Sequence, residues 1–319
     1  MAYKIEEKIV IAVASSALFD LEESHRVFQD QGEDKYRIYQ RDNELKILGQ
    51  GVAFPLIKRL LNINTESTQP VEVVLLSRND PDTGLRVFKS IEHYKLPISR
   101  AVFVTGNNPF RYMEAFNASL FLSANSEDVE KAVAKGYPAG CIYPSEFVDN
   151  EDDHELRLAF DFDGIVADDS AETIYQEGKL KEFQIHETKN ANEPLPQGPL
   201  FRFFHEISKL QKIVSEIRKN DPSYKMKIRV AIATARNAPA HERVITTLRK
   251  FDIRVDEAFF LGGIDKARVL SIFQPHIFFD DQKSHIESVA KVAPSVHVPF
   301  GITNLKVDLD VHQTTYNIV

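Results

Sequence analysis

The chain has 319 residues, 43% hydrophobic and 27% charged, which is material for two ordinary domains or one large elaborated one and excludes a disordered reading. Lys and Arg total 39 against 47 Asp and Glu, a net charge of −8 without a long basic block, so neither nucleic acid nor an anionic membrane surface is the expected partner. A phosphorylated small molecule stays open, because a bound cation can supply positive charge locally.

The opening stretch MAYKIEEKIVIAVASSALFD carries an apolar run near residues 9–19 that is too short to span a bilayer and lacks a signal-peptide layout, so a cytoplasmic protein is expected. IVIAVASSALFD (9–20) reads as a strand entering a turn, and LEESHRVFQDQG as a polar helix or loop. Residues 51–64 have helical periodicity, and VEVVLLSRND (71–80) is a buried strand. Residues 84–96 form the next helix, 101–106 and 118–125 further strands, and Ser126 is the expected cap of the helix after them. Such alternation predicts a parallel sheet covered by helices. Arg78, Asn79, Asn107 and Asn108 sit at strand ends in this half, where Asn-Asp-Pro and Asn-Asn-Pro read as turn chemistry. The lone cysteine, Cys141, excludes an intrachain disulfide and a cysteine zinc site and reads as packing.

After the acidic connector VDNEDDHE (148–155), the stretch LRLAFDFDGIVADDS (156–170) dominates the second half. Its apolar run predicts a strand that ends at Asp161 and Asp163, and Gly164 lets the backbone turn. Ligands of open parallel sheets bind just beyond the carboxyl ends of the strands. Two carboxylates there, one residue apart, ask for a hard cation such as Mg²⁺.

The second half repeats the first. Setting VEVVLLS (71–77) on IRVAIAT (228–234) gives an ungapped offset of 157 that matches Arg86 with Arg243, Gly106 with Gly263, Arg111 with Arg268 and Phe121 with Phe278. Upstream, Gly51 and Phe54 meet Gly198 and Phe201, and the opening strands align with Asp161 and Asp163 opposite Val13 and Ser15. On that alignment the second copy holds an extra stretch between its first strand and its matching helix. Lys266 faces Pro109, Asp280 and Asp281 face Ser123 and Ala124, and Thr234 faces Ser77. Charged residues fit for chemistry are thus confined to the second copy, so the first reads as a shell that kept the fold.

Four pieces occupy comparable places after apolar strands: Asp161-Phe162-Asp163-Gly164, Thr234 of RVAIATARN, Lys266 of LGGIDKARVL, and Asp280-Asp281 of HIFFDDQKSH. In order and residue type they resemble the four motifs of the haloacid dehalogenase superfamily of phosphohydrolases. Ile165 stands where that superfamily usually has Thr or Val. The resemblance implies an α/β fold of two tandem haloacid-dehalogenase-like (Rossmannoid) parallel-sheet units. Residues 1–150 would be the degenerate half, and 151–319 the catalytic half with a small cap insertion at about 170–200. It implies Asp161 as nucleophile and Asp163 as general acid and base. Thr234 and Lys266 would clamp phosphoryl oxygens, with Ala235 and Arg236 of the same loop as substrate contacts. Asp161, Asp163, Asp280 and Asp281 would hold the metal, with the choice between the last two open.

A closer likeness is to the cytosolic 5′-nucleotidase type I family, carried by ALFDLEES (17–24), GVAFPLIKRLLNIN, residues 71–94, FNASLFLSAN (116–125), GYPAG (136–140) and AFDFDGIVADDSAE (159–172). It implies Mg²⁺-dependent hydrolysis of nucleoside 5′-monophosphates through an aspartyl-phosphate. The segment 170–200 is then read as a mobile lid, with Phe183 placed to stack on a base and His186 and Lys189 to meet its polar edges. Two rival readings are a phosphatase of another small phosphate ester and a non-catalytic nucleotide-binding protein. Oligomeric state is left open, a homo-oligomer included, and the tail after Gly301 reads as an edge strand or a partner contact.

Overall fold

The computed structural model describes residues 3–145 and 147–304, and of residues 171–180 the backbone alone. The tail past Asn304, and so most of the expected edge strand, lies outside the described residues.

In the first half, β1 (Ile9–Val13) leads through α1 (Ser15–Leu18) and β2 (Phe19–Asp20) into α2 (Glu22–Asp42), which is broken at Gly32. Then follow β3 (Gly49–Gln50), α3 (Phe54–Leu61), β4 (Val71–Ser77), α4 (Leu85–His93), β5 (Arg100–Phe103), β6 (Ala118–Ser123), α5 (Ser126–Ala134) and β7 (Ala139–Tyr143). The second half runs β8 (Glu155–Phe160), α6 (Ser170–Lys189), α7 (Phe201–Asn220), β9 (Lys227–Thr234), α8 (His241–Lys250) and β10 (Glu257–Phe260). It closes with α9 (Lys266–Phe273), β11 (Ile277–Asp280), α10 (Lys283–Val289) and β12 (Ser295–His297). The polar stretch after residue 20 is helical, and the cap of α5 is Asn125, whose side chain accepts from the Asp128 N–H, rather than Ser126.

Among the described residues ten strands make one mixed, mostly parallel sheet in the order β10-β9-β8-β11-β12-β7-β6-β1-β4-β5. Each pair in it is parallel except β7 with β12, which run antiparallel at the centre. β1, β4 and β6 are buried along their whole length, as strands covered on both faces must be. A continuous apolar core runs under both halves, with a smaller one around Ala231, Leu270, Phe278 and Ile286. The acidic connector is anchored by the buried Arg59, which reaches Asp149 at 2.9 Å and the Asn150 carbonyl at 2.7 Å. Removing either partner of such a buried pair leaves an uncompensated charge.

Sheet register corrects the repeat alignment by one residue. Val13 pairs with Leu75 in the first half and Phe160 with Ile232 in the second, and the N–H groups of Ala14 and Asp161 donate to the equivalent carbonyls of Leu122 and Phe279. Asp161 therefore stands opposite Ala14, not Val13. In the turn that follows, Phe162-Asp163-Gly164 replaces Ser15-Ser16. Gly164, at φ +72°, takes up the added residue. The extra stretch also lies elsewhere than expected: α2 and α6, of 21 and 20 residues, occupy matching places, whereas α7 has 20 residues against 8 in α3. A hydrophobic alignment cannot see this, because both strand starts are apolar over several positions and slide past each other without penalty.

Candidate active site

β8 lies between β9 and β11, parallel to both, so the carboxyl ends of the three strands open on one edge of the sheet. Asp161 follows β8, Thr234 ends β9 and Asp280 ends β11. Lys266 is the first residue of α9, whose start is fixed by Asp265 accepting from the Ala267 N–H at 2.9 Å. These four residues are buried.

Lys266 ties the strand ends together. Its Nζ lies 2.8 Å from Asp161 Oδ2 and 2.6 Å from Asp280 Oδ2. Asp280 also accepts from the Gln282 N–H at 2.8 Å and contacts His285 Nδ1 at 3.1 Å. Burial works to lower the Lys266 ammonium, and the carboxylates of Asp161 and Asp280 more than reverse it. Asp161 is pushed up to about 7 by burial, with Asp280 and Asp163 adding to the rise and Lys266 opposing it.

Asp281 is the outlier. Burial, then the charges of Asp161 and Asp280, push it up to about 9. Thr303 donates to its Oδ2 at 2.9 Å, while its Oδ1 is buried without a hydrogen-bond partner among the described residues. Its carboxyl packs so closely on the Asp163-Gly164 turn that a Cβ at Gly164 would come within 2.6 Å of Asp281 Cγ. A buried carboxylate with an idle oxygen, beside two further carboxylates, is a donor set that fits a hard cation. Ligand atoms of Asp161, Asp280 and His285 lie within 4.8 Å of one another, a second grouping compatible with a metal.

Arg236 does not point toward solvent. It is 2% exposed, and its guanidinium grips Asp163 with two bonds, Nε to Oδ2 and Nη2 to Oδ1, both 2.7 Å. Its Nη1 pairs with Glu187 of α6. Thr234 Oγ1 accepts from the Arg236 N–H at 3.1 Å, and Ala235 is exposed between them. Phe183 is 9% exposed, its ring 5.3 Å from the Arg236 guanidinium, so its face packs on a cation within the protein. His186 contacts Glu187 at 3.1 Å, and Lys189 lies on an exposed groove with Lys181, Gln184, Thr188 and Pro239.

The structure thus brings Asp161, Lys266 and Asp280 into direct contact, sets Asp281 beside the turn they share, and joins Asp163 to Arg236. Lys189 is in none of these contacts. Sequence reasoning missed His285, which reaches Asp280 from the first turn of α10, and Thr303, which arrives from a turn with no motif of its own. It also missed Glu187. Arg243, which pairs with Glu187 at 2.8 Å, was visible as a repeat match to Arg86, although nothing in the sequence named its partner.

Residues 1–305 match the family described as 5′-nucleotidase. Over 297 residues the chain is 33% identical to human cytosolic 5′-nucleotidase 1B, an alignment that covers 91% of this chain and 48% of that protein. The chain thus spans about half the length of this relative. No solved structure matches the chain significantly. Among the described residues no helix is long and apolar enough to cross a membrane.

Proposed function

Because the chain belongs to the cytosolic 5′-nucleotidase family, we propose that it hydrolyses nucleoside 5′-monophosphates to nucleoside and phosphate, with Mg²⁺ as cofactor. The observation that carries this reading is the buried Lys266 bridging Asp161 and Asp280 at two adjacent strand ends. A scaffold gains nothing from burying these charges, whereas phosphoryl transfer needs them.

Asp161 attacks phosphorus to form an aspartyl-phosphate, and the bond to the ester oxygen breaks. Asp163, protonated on one oxygen while the other stays bonded to Arg236, gives that proton to the leaving oxygen, then takes one from the water that attacks the aspartyl-phosphate and releases phosphate. Lys266 screens Asp161 from Asp280 and faces the charge that builds on the phosphoryl oxygens. Thr234, with the Ala235 N–H, orients those oxygens. The metal would be held by Asp161, the Asp163 carbonyl and Asp281, since Asp280 is already committed to Lys266, Gln282 and His285. When bound it supplies positive charge to the phosphate.

In this reading residues 1–150 and 151–319 are tandem haloacid-dehalogenase-like units, joined edge to edge where β7 meets β12. The matching strand order on either side of that pair supports it. α6 belongs to the cap over the second unit. His186 and Lys189 remain the base-side candidates, while Phe183 serves to pack Arg236. The protein acts in the cytoplasm on a small nucleotide and needs no nucleic acid or membrane.

Phosphate release measured over nucleoside monophosphates and sugar phosphates tests this. Preferential turnover of the nucleotides is expected. Equal, slow turnover of both classes refutes nucleotide specificity, and no turnover of either refutes the hydrolase.

A further inference from the structure

Running inward from the half-buried Asp163, the second half carries an ionic chain with no counterpart among the described residues of the first half. Asp163 is held by Arg236, Arg236 by Glu187, and Glu187 by Arg243, whose Nη1 lies 2.8 Å from Glu187 Oε1. The Arg243 Nε donates to the Glu193 carbonyl at 2.9 Å. The side chains of Arg236 and Glu187 are 2% and 0% exposed. Two arginines and two carboxylates make a neutral set, so Arg236 does not depend on Asp163 alone to balance its charge.

The first half holds the same framework with neutral residues in place of Glu187 and Arg236. Arg86 Nε donates to the Lys46 carbonyl at 2.9 Å and its Nη1 to Gln40 Oε1 at 3.1 Å, so Gln40 of α2 stands where α6 has Glu187. Ser90 accepts from the Leu48 N–H at 3.0 Å, as Thr247 does from the Leu195 N–H at 3.0 Å. Asn79 occupies the place of Arg236, its N–H bonded to Ser77 Oγ at 3.2 Å as the Arg236 N–H is bonded to Thr234. Tyr36 stands where Phe183 does and donates to Asn79 at 3.3 Å. Asp163 has only the serines of the Ser15-Ser16 turn as counterparts. Packing of the long helix on the sheet is therefore met without Arg236 or Glu187. Their charges appear together, and only in the half that carries Asp161.

We infer that Arg236 is a positioning residue that aims Asp163 at the leaving oxygen, and that Glu187 of the cap helix holds Arg236 in that role. The bidentate grip fixes the plane of the Asp163 carboxyl, which a point charge or a single bond would leave free to turn. Glu187 makes that grip answer to the position of α6.

The inference rests on the hydrolase reading, and the test separates the two. Wild type, Glu187→Gln and Arg236→Lys are assayed on a nucleoside 5′-monophosphate and on its 5′-S-phosphorothiolate, whose thiolate leaves without needing a proton. Arg236→Lys is expected to lower kcat on the oxygen ester by about 10²-fold, the low end of what a general acid contributes, and Glu187→Gln by about tenfold, a partial loss of the same contribution. On the sulfur ester both should stay within about threefold of wild type, with KM little changed in each case. Equal losses on both esters, or no loss on either, overturn the positioning role while the hydrolase reading stands. A wild type inactive on both esters overturns the hydrolase reading and this inference with it. Should Arg236→Lys fail to fold by thermal melt, Glu187→Gln decides alone, because the Gln40–Arg86 pair shows this framework accepting glutamine.

Discussion

The two halves of the sheet make the same backbone bonds at their strand ends with opposite chemistry. In the first, the Asn79 and Asn125 N–H groups are capped by Ser77 and Ser123 hydroxyls at 3.2 and 3.0 Å, and Ser15 meets Ser77 at 2.9 Å. In the second, Thr234 and Asp280 receive the equivalent N–H groups of Arg236 and Gln282 at 3.1 and 2.8 Å. A serine therefore serves the turn as well as an aspartate does. The carboxylates, and the lysine and Arg236 that answer them, are an addition the fold does not require, and burying them costs stability.

The sharpest way to break that contrast is to substitute each half at equivalent positions. Asp161→Asn should lower turnover by about 10⁴-fold or more with the melting temperature retained. Ala14→Ser, its counterpart, should leave turnover within about twofold of wild type. Turnover that survives Asp161→Asn removes the covalent mechanism. Next in size, Lys266→Met leaves Asp161 and Asp280 buried without their cation, and a loss of about 3–5 kcal/mol is expected in urea unfolding. An unchanged midpoint would mean that Lys266 is not neutralising the pair.

Chelation by EDTA should stop turnover, and Mg²⁺ should restore it. Added Mg²⁺ should also raise wild-type stability by about 2.7 kcal/mol at a hundredfold excess over its Kd. That stabilisation should vanish in Asp281→Asn, and its persistence there would assign the metal to other ligands. The smallest effect concerns Glu187. Burial raises its carboxyl, but Arg236 and Arg243 outweigh burial and hold it below the usual range. Its contribution is therefore present above the unfolded value of about 4.3 and lost as pH falls through the lower folded value. Unfolding midpoints between pH 3 and 7 should show a shallower acid-side decline in Glu187→Gln, and identical slopes would contradict the pairing.

The strands and the motif residues were legible because each is a local pattern. An apolar run of fitting length ending in Asp161 or Asp280 states both the strand and the place where a charge leaves it. The internal match between the halves was legible too, since arginines and glycines recur at a constant spacing. Less legible was the exact register, which only the hydrogen bonds of Ala14 and Asp161 to their neighbouring strands decide. Less legible too was where the second half is longer: α7 has 20 residues against 8 in α3, and an alignment made on hydrophobicity does not know where a helix ends.

By itself the sequence determined the order of strands and helices, the acidic turn after residue 160, and the presence of a lysine and two further aspartates at comparable places. Only the tertiary structure decided who neutralises whom. Lys266 meets Asp161 across a hundred residues because β11 inserts beside β8, and Arg236 turns inward to Asp163 because Glu187 and Phe183 receive it there. α6 has little amphipathic bias in its sequence, so which of its residues faces the site is settled by packing against α8 and the β9 loop, not by any pattern along the chain.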